Sequence, residues 1–375
     1  MREHVVIIGS GMMGSGIGAM SALAGNKTIL VDVEESRVLA GKERAVSCIR
    51  LRQEQGLNTA EEARRAETLL ETSTDTEQAA ESARMVIEAI VENLQAKQQL
   101  FEKLDRILPT DVPICSNTSG LRITDISSLC QHPERTVTTH FWLPAHLVPL
   151  VEVVMGDKTD EQLAVKVRDE LKAWKKSPVL VRRDLPGQLA NRVFQAIIRE
   201  SIAIVASGLA TAEDVDTAIS CGMAMRFPEW GPLKHLDAIG LDLGLSVQET
   251  VLPDINRDGC ANDYLKKLVE DGNLGVKTGK GFYDWSKRSI ETDMAKRDQF
   301  IIEAVKATSR LDQTEAGGEN RRNGILPWEP IRKIFCLEQG KCFTEREKES
   351  PSVSLTMATS ERAAESRFGI HPFSV

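Results

Sequence analysis

The glycine-rich segment Gly9-Ser-Gly-Met-Met-Gly14 most constrains what this chain can fold into. An apolar run at residues 4–9, typical of a strand buried in a parallel sheet, leads into the segment, and a helical pattern follows it. Gly9 permits a tight turn, Gly11 lets backbone approach a pyrophosphate, and Gly14 allows the helix to pack closely on the strand. Because the first N–H groups of that helix are free to bind an anion, the pattern predicts a dinucleotide-binding turn.

An acidic residue follows the next strand-like run. Residues 27–31 lead into Asp32, which lies close to the usual spacing for a carboxylate that binds a ribose hydroxyl. Glu34 and Glu35 come directly after it, and three carboxylates would repel a 2′-phosphate. The sequence therefore favours NAD over NADP, although Arg37 is near enough to keep NADP open. The alternative interpretation of Asp32 is a loop carboxylate without a ligand.

A histidine and a glutamate form the candidate catalytic pair. Two short β-rich runs, residues 137–141 and 150–154, are joined by a turn-prone segment with two prolines, so we expect the chain to double back and bring His140 near Glu152. Histidine can take and return a proton near neutrality, and a carboxylate on its far nitrogen would fix the tautomer and stabilise the cation. We predict that His140 is a general base and that Glu152 orients its ring. The alternative is a structural histidine beside a solvated glutamate.

The order of the elements predicts two domains and a tail. Strand and helix patterns alternate up to Asp184, which predicts an α/β Rossmann-type NAD-binding domain at residues 1–183. Nearly continuous helical patterns follow and predict an all-α C-terminal domain at residues 184–307. Residues 308–375 are polar and lack sustained periodicity, so we expect them to be largely disordered.

The stretch at residues 34–70 is polar, charged and helix-prone. Its length predicts a helical hairpin that projects from the sheet edge. Most of its charges are expected on solvated faces. The alternative is that a few of its basic residues, which include Arg52, Arg64 and Arg65, receive substrate phosphates.

Charge and cysteine content exclude several classes of protein. The formal net charge of -8 and a pI near 5.5 argue against a nucleic-acid or anionic-membrane partner. The seven cysteines are scattered without a C-x-x-C motif, so neither a metal site nor a disulfide framework is predicted. The sequence has no apolar run that approaches the ~18 residues of a membrane helix, and its first strand-like run begins near His4, too early for a cleaved signal peptide. We therefore expect a cytoplasmic protein whose partner is a small molecule.

Six motifs carry a family resemblance. In chain order they are VVIIGSGMMGSGI, VIEAIVENLQAKQQLF, SNTSGL, HFWLPAHLVPLVEVV, PGQLANRVF and GVKTGKGFYDW. With these motifs the chain resembles the L-3-hydroxyacyl-CoA dehydrogenase family over about residues 4–307. The resemblance implies NAD as the cofactor, a helical second domain that forms the contact of a homodimer, and an active site in the cleft between the domains.

The resemblance also implies roles for single residues. His140 matches the family's catalytic base and Glu152 its carboxylate partner, while Ser119 and Asn191 match its substrate-contacting serine and asparagine. Without the resemblance, Ser119 is equally well a helix cap and Asn191 an exposed helix residue. The full set of predicted cofactor-binding residues, in which Glu92 and Lys97 match positions near the nicotinamide, is Gly9, Gly11, Met12, Met13, Gly14, Asp32, Glu92, Lys97 and Asn117.

The expected activity is NAD-dependent oxidation of a 3-hydroxyacyl-CoA to the 3-ketoacyl-CoA, in fatty acid metabolism. Leu143 stands where the family usually has an asparagine and cannot supply that hydrogen bond, so a dehydrogenase of small free hydroxy acids, such as carnitine or gulonate, is one alternative. A non-catalytic NAD-binding protein is another. A decarboxylating β-hydroxyacid dehydrogenase is disfavoured because residues 184–200 contain no lysine.

Overall fold

One eight-stranded sheet organises the first half of the molecule. The computed structural model describes residues 4–228 and 230–316, and for residues 309–316 it describes the backbone alone. The strands follow the order β3-β2-β1-β4-β5-β6-β7-β8, and all neighbours are parallel except β6 and β7, which are antiparallel. The strands are β1 His4–Ile8, β2 Lys27–Val31, β3 Leu70–Ser73, β4 Ala83–Glu88, β5 Ile114–Ser116, β6 Thr136–Phe141, β7 Leu150–Val154 and β8 Ser177–Val181.

Helices alternate with the strands up to β8 and then follow one another. The α-helices are α1 Met12–Leu23, α2 Glu35–Glu54, α3 Ala60–Thr68, α4 Thr76–Ala80, α5 Leu94–Ile107, α6 Ile123–Ile126, α7 Glu161–Ala173, α8 Ala190–Ser207, α9 Ala212–Ala218, α10 Pro232–Ile239, α11 Leu241–Val251, α12 Asp263–Glu270 and α13 Ile290–Ala316. This arrangement confirms the predicted fold class, a Rossmann-like sheet followed by a helical region.

Two apolar layers cover the faces of the sheet. Successive residues of a strand point to opposite faces, so Val6 and Ile8 of β1 belong to one layer and Val5 and Ile7 to the other. Phe141 packs in the layer of Val5 and Ile7. By the same alternation, the neighbouring side chain at position 140 projects from the opposite face, where the site described below lies.

The helical hairpin of residues 34–70 forms, but the prediction that it projects from the sheet edge is wrong. Helices α2 and α3 pack on α1, and α3 is followed by the short edge strand β3, which the sequence pattern did not indicate. Arg52, expected on a solvated face or at a substrate phosphate, is buried and donates to Asn58 and to the backbone carbonyl of His146. Gly41 of α2 permits this packing, since a Cβ there would lie 2.5 Å from the Cβ of Ser10 in the glycine-rich turn.

The last helix continues beyond the predicted end of the helical domain. Helix α13 runs through Ala316, whereas the polar tail was expected from residue 308. Residues 317–375 lie outside the described part of the chain. Within that part, every helix is too short or too polar to cross a lipid bilayer.

Candidate active site

The glycine-rich turn has the backbone that a dinucleotide needs. Gly9 has a φ of +96°, and a Cβ at this position would lie 2.5 Å from the carbonyl oxygen of Ala89. A Cβ on Gly14 would lie 1.8 Å from the carbonyl oxygen of Gly9, so the absence of a side chain at Gly14 lets α1 pack closely on the turn. By contrast, open space lies above Gly11, the residue that precedes α1. A pyrophosphate can therefore approach the first N–H groups of the helix.

Asp32 is held in place by the residue that follows Gly9. One oxygen of its carboxylate accepts from the backbone N–H of Ser10 at 2.9 Å and lies 2.8 Å from the Ser10 hydroxyl, and the other accepts from the N–H of Val33. Burial acts to raise the pKa of Asp32, but these hydrogen bonds outweigh it and leave the pKa below the ordinary value of 3.8. The carboxylate is therefore charged and oriented at neutral pH.

A groove of about 610 Å³ joins these features and suits the adenosine half of a dinucleotide. Gly9, Gly11 and Asp32 line it, together with Arg37 and Arg44 of α2. Arg37 pairs with Glu34, and Arg44 donates to the carbonyl of Ser10, so both arginines already have anionic or polar partners. The open turn and the anchored carboxylate fit NAD, for which Gly11 would lie at the pyrophosphate and Asp32 at the ribose.

The predicted catalytic pair meets at the antiparallel junction of the sheet. Residues His140 and Glu152 are direct partners in the β6–β7 register, and their side chains share one face. His140 Nδ1 lies 2.8 Å from Glu152 Oε2, and both residues are buried. Because the carboxylate accepts a hydrogen bond from Nδ1–H, the neutral ring keeps Nε2 as its free basic nitrogen.

Glu152 has further donors that the sequence did not indicate. Its Oε1 accepts from the backbone N–H groups of Leu189 and Ala190, both at 2.8 Å, at the start of α8. Its Oε2 also accepts from the indole N–H of Trp142 at 3.0 Å. Burial alone would raise the pKa of Glu152, but the hydrogen bonds, that from His140 first, lower it to about 2. The carboxylate thus ties His140 to the helix that begins the second half of the chain.

A cavity of about 400 Å³ brings most of the predicted site residues together. It shares Ala89 and Ile90 with the cofactor groove, so the two spaces adjoin. Leu143 also lines it, with nearly half of its surface exposed. The predicted residues in its lining are Met13, Glu92, Lys97, Asn117, Ser119, His140 and Asn191. Met12 is 66% exposed and lies outside both linings.

Two glutamates engage the lysine of this cavity. Lys97 is fully buried and contacts Glu88 closely, while Glu92 lies 3.3 Å away. Glu92 in turn accepts from the hydroxyl of Thr118 and from the backbone N–H of Ser119. Glu88 was missed in the sequence, although a carboxylate at the end of an apolar strand was a signal that could have found it. The network fixes the segment that carries Ser119 on the cavity wall.

The loop between β6 and β7 is held by two buried basic side chains. Lys176 donates to the carbonyls of Ala145 and Val148, and Arg52 donates to that of His146. Burial, with the nearby charge of Arg52, lowers the pKa of Lys176 to about 7. These contacts fix the loop that carries Leu143, and their long separation in sequence explains why no local pattern revealed them.

Comparisons with known proteins agree with this architecture. Residues 4–185 match the family model described as 3-hydroxyacyl-CoA dehydrogenase, NAD binding domain, and residues 187–285 match its C-terminal domain. A probable 3-hydroxybutyryl-CoA dehydrogenase of Bacillus subtilis is 37% identical over 290 residues, covering 76% of this chain and 99% of that protein.

A second relative differs in its substrate. The 5-formyl-3-hydroxy-2-methylpyridine 4-carboxylate 5-dehydrogenase of Mesorhizobium japonicum is 32% identical over 305 residues, covering 80% of this chain and 97% of that protein. A crystal structure of an enzyme with this activity, described as an NAD+ dependent dismutase, superimposes with a TM-score of 0.74 at 28% identity, over 80% of this chain and 97% of that one.

Proposed function

The chain belongs to the 3-hydroxyacyl-CoA dehydrogenase family, an NAD-dependent oxidoreductase family, and we propose that it oxidises the 3-hydroxyl of a 3-hydroxyacyl-CoA to the 3-ketoacyl-CoA. One observation carries the proposal. The buried His140–Glu152 pair lies at a cavity that adjoins the groove of the glycine-rich turn.

His140 is the proposed general base. The hydroxyl proton of a secondary alcohol must leave as the carbonyl forms, and Nε2 of His140 is the ring nitrogen free to take it. Glu152 holds the ring and offsets the charge of the imidazolium. NAD, when bound, supplies the acceptor for the hydride that leaves the same carbon. In the reverse direction His140 returns the proton to the oxygen.

Ser119 and Asn191 are the proposed donors to the substrate oxygen. Both line the cavity of His140, Ser119 from the turn after β5 and Asn191 from the first turn of α8. A hydroxyl and an amide held in this way stabilise negative charge on an oxygen that is becoming a carbonyl. Because Glu152 binds the N–H groups at the start of α8, it also positions Asn191.

The charges of the cavity favour an acyl thioester over a free acid. Among the described residues in the lining, Lys97 is the one cation, and Glu88 and Glu92 both engage it. A free carboxylate beside the reacting carbon would find no uncommitted cation and would face the charge of Glu92. A thioester carbonyl is neutral and can be buried without a cation beside it.

A second candidate is a dehydrogenase of small carboxylated compounds. It is favoured by Leu143, an apolar residue on the cavity where the family usually has an amide, and by the similarity to the Mesorhizobium pyridine-carboxylate dehydrogenase. Such a substrate would place a ring or a short acid against Leu143 and Trp142 rather than a long acyl chain.

An NAD-reduction screen separates the two candidates. It compares 3-hydroxyacyl-CoA esters with the matching free acids and with 5-formyl-3-hydroxy-2-methylpyridine 4-carboxylate, each assayed with the wild type and with His140→Gln as the matched control. We expect saturable NADH formation from an acyl-CoA ester that is lost in the variant. Turnover of the free acids or pyridines alone would replace the first candidate by the second, and turnover by neither class would overturn both.

We also propose that the chain forms a homodimer through its helical region. Large apolar side chains are half or more exposed on α8, α10 and α11, among them Val193, Leu233, Leu241 and Leu245. Exposed apolar surface of this extent is typical of a protein–protein contact. Light scattering on the purified protein should give twice the chain mass, and a monomer at micromolar concentration would contradict the proposal.

A further inference from the structure

The indole of Trp142 shares a carboxylate oxygen with the catalytic histidine. Glu152 Oε2 lies 2.8 Å from His140 Nδ1 and 3.0 Å from Trp142 Nε1. We propose that Trp142 is a positioning residue that tunes the basicity of His140 by competing for this oxygen. The inference rests on the proposed function, since it takes His140 as the base.

The surroundings leave Glu152 little freedom to serve both partners independently. The carboxylate is fully buried, and its other oxygen is already occupied by the N–H groups of Leu189 and Ala190. Oε2 therefore carries the interaction with the imidazole, and it carries the interaction with the indole as well. The two rings are adjacent, with centroids 5.7 Å apart at an angle of 50°.

The electrostatic consequence has a definite sign. A carboxylate stabilises an imidazolium in proportion to the negative charge on the oxygen that faces it, and a second donor to that oxygen draws part of this charge away. Trp142 therefore makes His140 a weaker base than it would be beside Glu152 alone. A weaker base remains neutral, and so able to accept a proton, down to a lower pH.

Other charged groups around the pair remain unchanged when the indole is replaced. Glu92 and Lys97 line the same cavity, and Lys97 is paired with Glu88. From the segment before α8, Asp184 is paired with Arg122. A substitution of Trp142 by phenylalanine keeps an aromatic ring beside the imidazole and removes the N–H, so it isolates the effect of the shared oxygen.

The test is the titration of the His140 ring, followed by NMR on the NAD-free full-length protein. The resonance is assigned by its absence in His140→Gln. In Trp142→Phe we expect the midpoint of the His140 titration to rise by at least about 0.5 pH unit, or roughly threefold in proton affinity. The reason is that Glu152 Oε2 loses its hydrogen bond from the indole and keeps more negative charge facing the imidazole. An unchanged or lowered midpoint would overturn the proposal.

The chain offers a matched control for the ring effect. Trp230 lies beside His235 with ring centroids 5.9 Å apart at 55°, in nearly the same geometry as Trp142 beside His140. Trp230→Phe should leave the His140 midpoint in place and move that of His235 by less than Trp142→Phe moves His140. An equal shift at His235 would assign the effect to the ring and refute the shared-oxygen mechanism.

A kinetic readout connects the titration to turnover. With a substrate from the NAD-reduction screen, the acidic limb of kcat/KM should move to higher pH in Trp142→Phe by the same amount as the NMR midpoint. If the NMR midpoint moves but the acidic limb does not, Trp142 does not tune the reacting base. The proposed function fails separately, by undiminished turnover in His140→Gln.

Discussion

The two halves of the molecule bury their side chains very differently. In the α/β half, up to β8, apolar side chains form two closed layers around the sheet. In the helical half, the buried apolar side chains among the described residues are Val215 and Ile302, and α8 has none. The first half thus has a closed apolar core beside its cofactor groove, whereas the second half exposes apolar surface and supplies Asn191 to the cavity. The contrast separates the candidate site, built mainly on the sheet, from a helical region whose exposed apolar surface the proposed dimer would cover.

The largest effect is expected where the sheet holds the base. His140→Gln removes the proton acceptor but leaves the glycine-rich turn and Asp32 untouched, so turnover should fall by at least about a hundredfold while NADH affinity stays near that of the wild type. Steady-state kinetics and NADH fluorescence titration measure the two quantities. Unchanged turnover would show that His140 is not the general base.

The next effect tests the residue that joins the halves. The pKa of Glu152 is lowered from 4.5 to about 2, so its charged form contributes stability that is fully present above pH 4.5 and is lost as pH falls towards 2. Glu152→Gln should therefore be clearly less stable than the wild type at pH 7, with a gap in the free energy of unfolding that narrows as pH falls below 4.5.

Urea unfolding at a series of pH values measures this gap, and Glu54→Gln, at an exposed helix position, is the control. Hydrogen exchange adds a second readout, because loss of the carboxylate should reduce protection of the N–H groups of Leu189 and Ala190. A gap that stays constant with pH would show that the carboxylate does not couple the two halves through its charge.

These regions also differ in how far the sequence predicted them. The turn at residues 9–14 and the return from His140 to Glu152 were predicted because local spacing fixes both, the first by glycine positions and the second by strand pairing. The hydrogen bond from Trp142 to Glu152 was not predicted. Whether a tryptophan packs in the core or donates to a site depends on where its indole N–H points, which the sequence does not show. The ties from Arg52 and Lys176 to the β6–β7 loop join residues far apart in sequence, which periodicity cannot detect.

A smaller effect is expected from charges on the exposed apolar surface. Leu241→Glu with Leu245→Glu should weaken the proposed dimer by tenfold or more in Kd, about 1.4 kcal/mol, since both side chains are more than half exposed on one side of α11. NADH affinity should stay near that of the wild type because the cofactor groove lies in the other half. Leu39→Glu, at an exposed position of α2, is the matched control and should leave the dimer intact. An unaltered Kd in the double variant would place the dimer contact elsewhere.

The smallest effect is expected at Arg64 and Arg65, which the sequence left as possible ligands of substrate phosphates. Both are exposed on α3, and the guanidinium of Arg65 lies beside Gly25, just before the start of β2. Parallel sheets bind ligands at the carboxyl ends of their strands, and Asp32 marks that end of β2. Arg65 therefore lies near the amino ends of the strands, on the side away from the ligand. Charge reversal at both positions should change KM for an acyl-CoA by less than about twofold and the free energy of unfolding by about 0.5 kcal/mol or less, as is usual for surface substitutions. A selective rise in KM for the acyl-CoA, with KM for NAD constant, would instead show that the nucleotide of the substrate reaches α3.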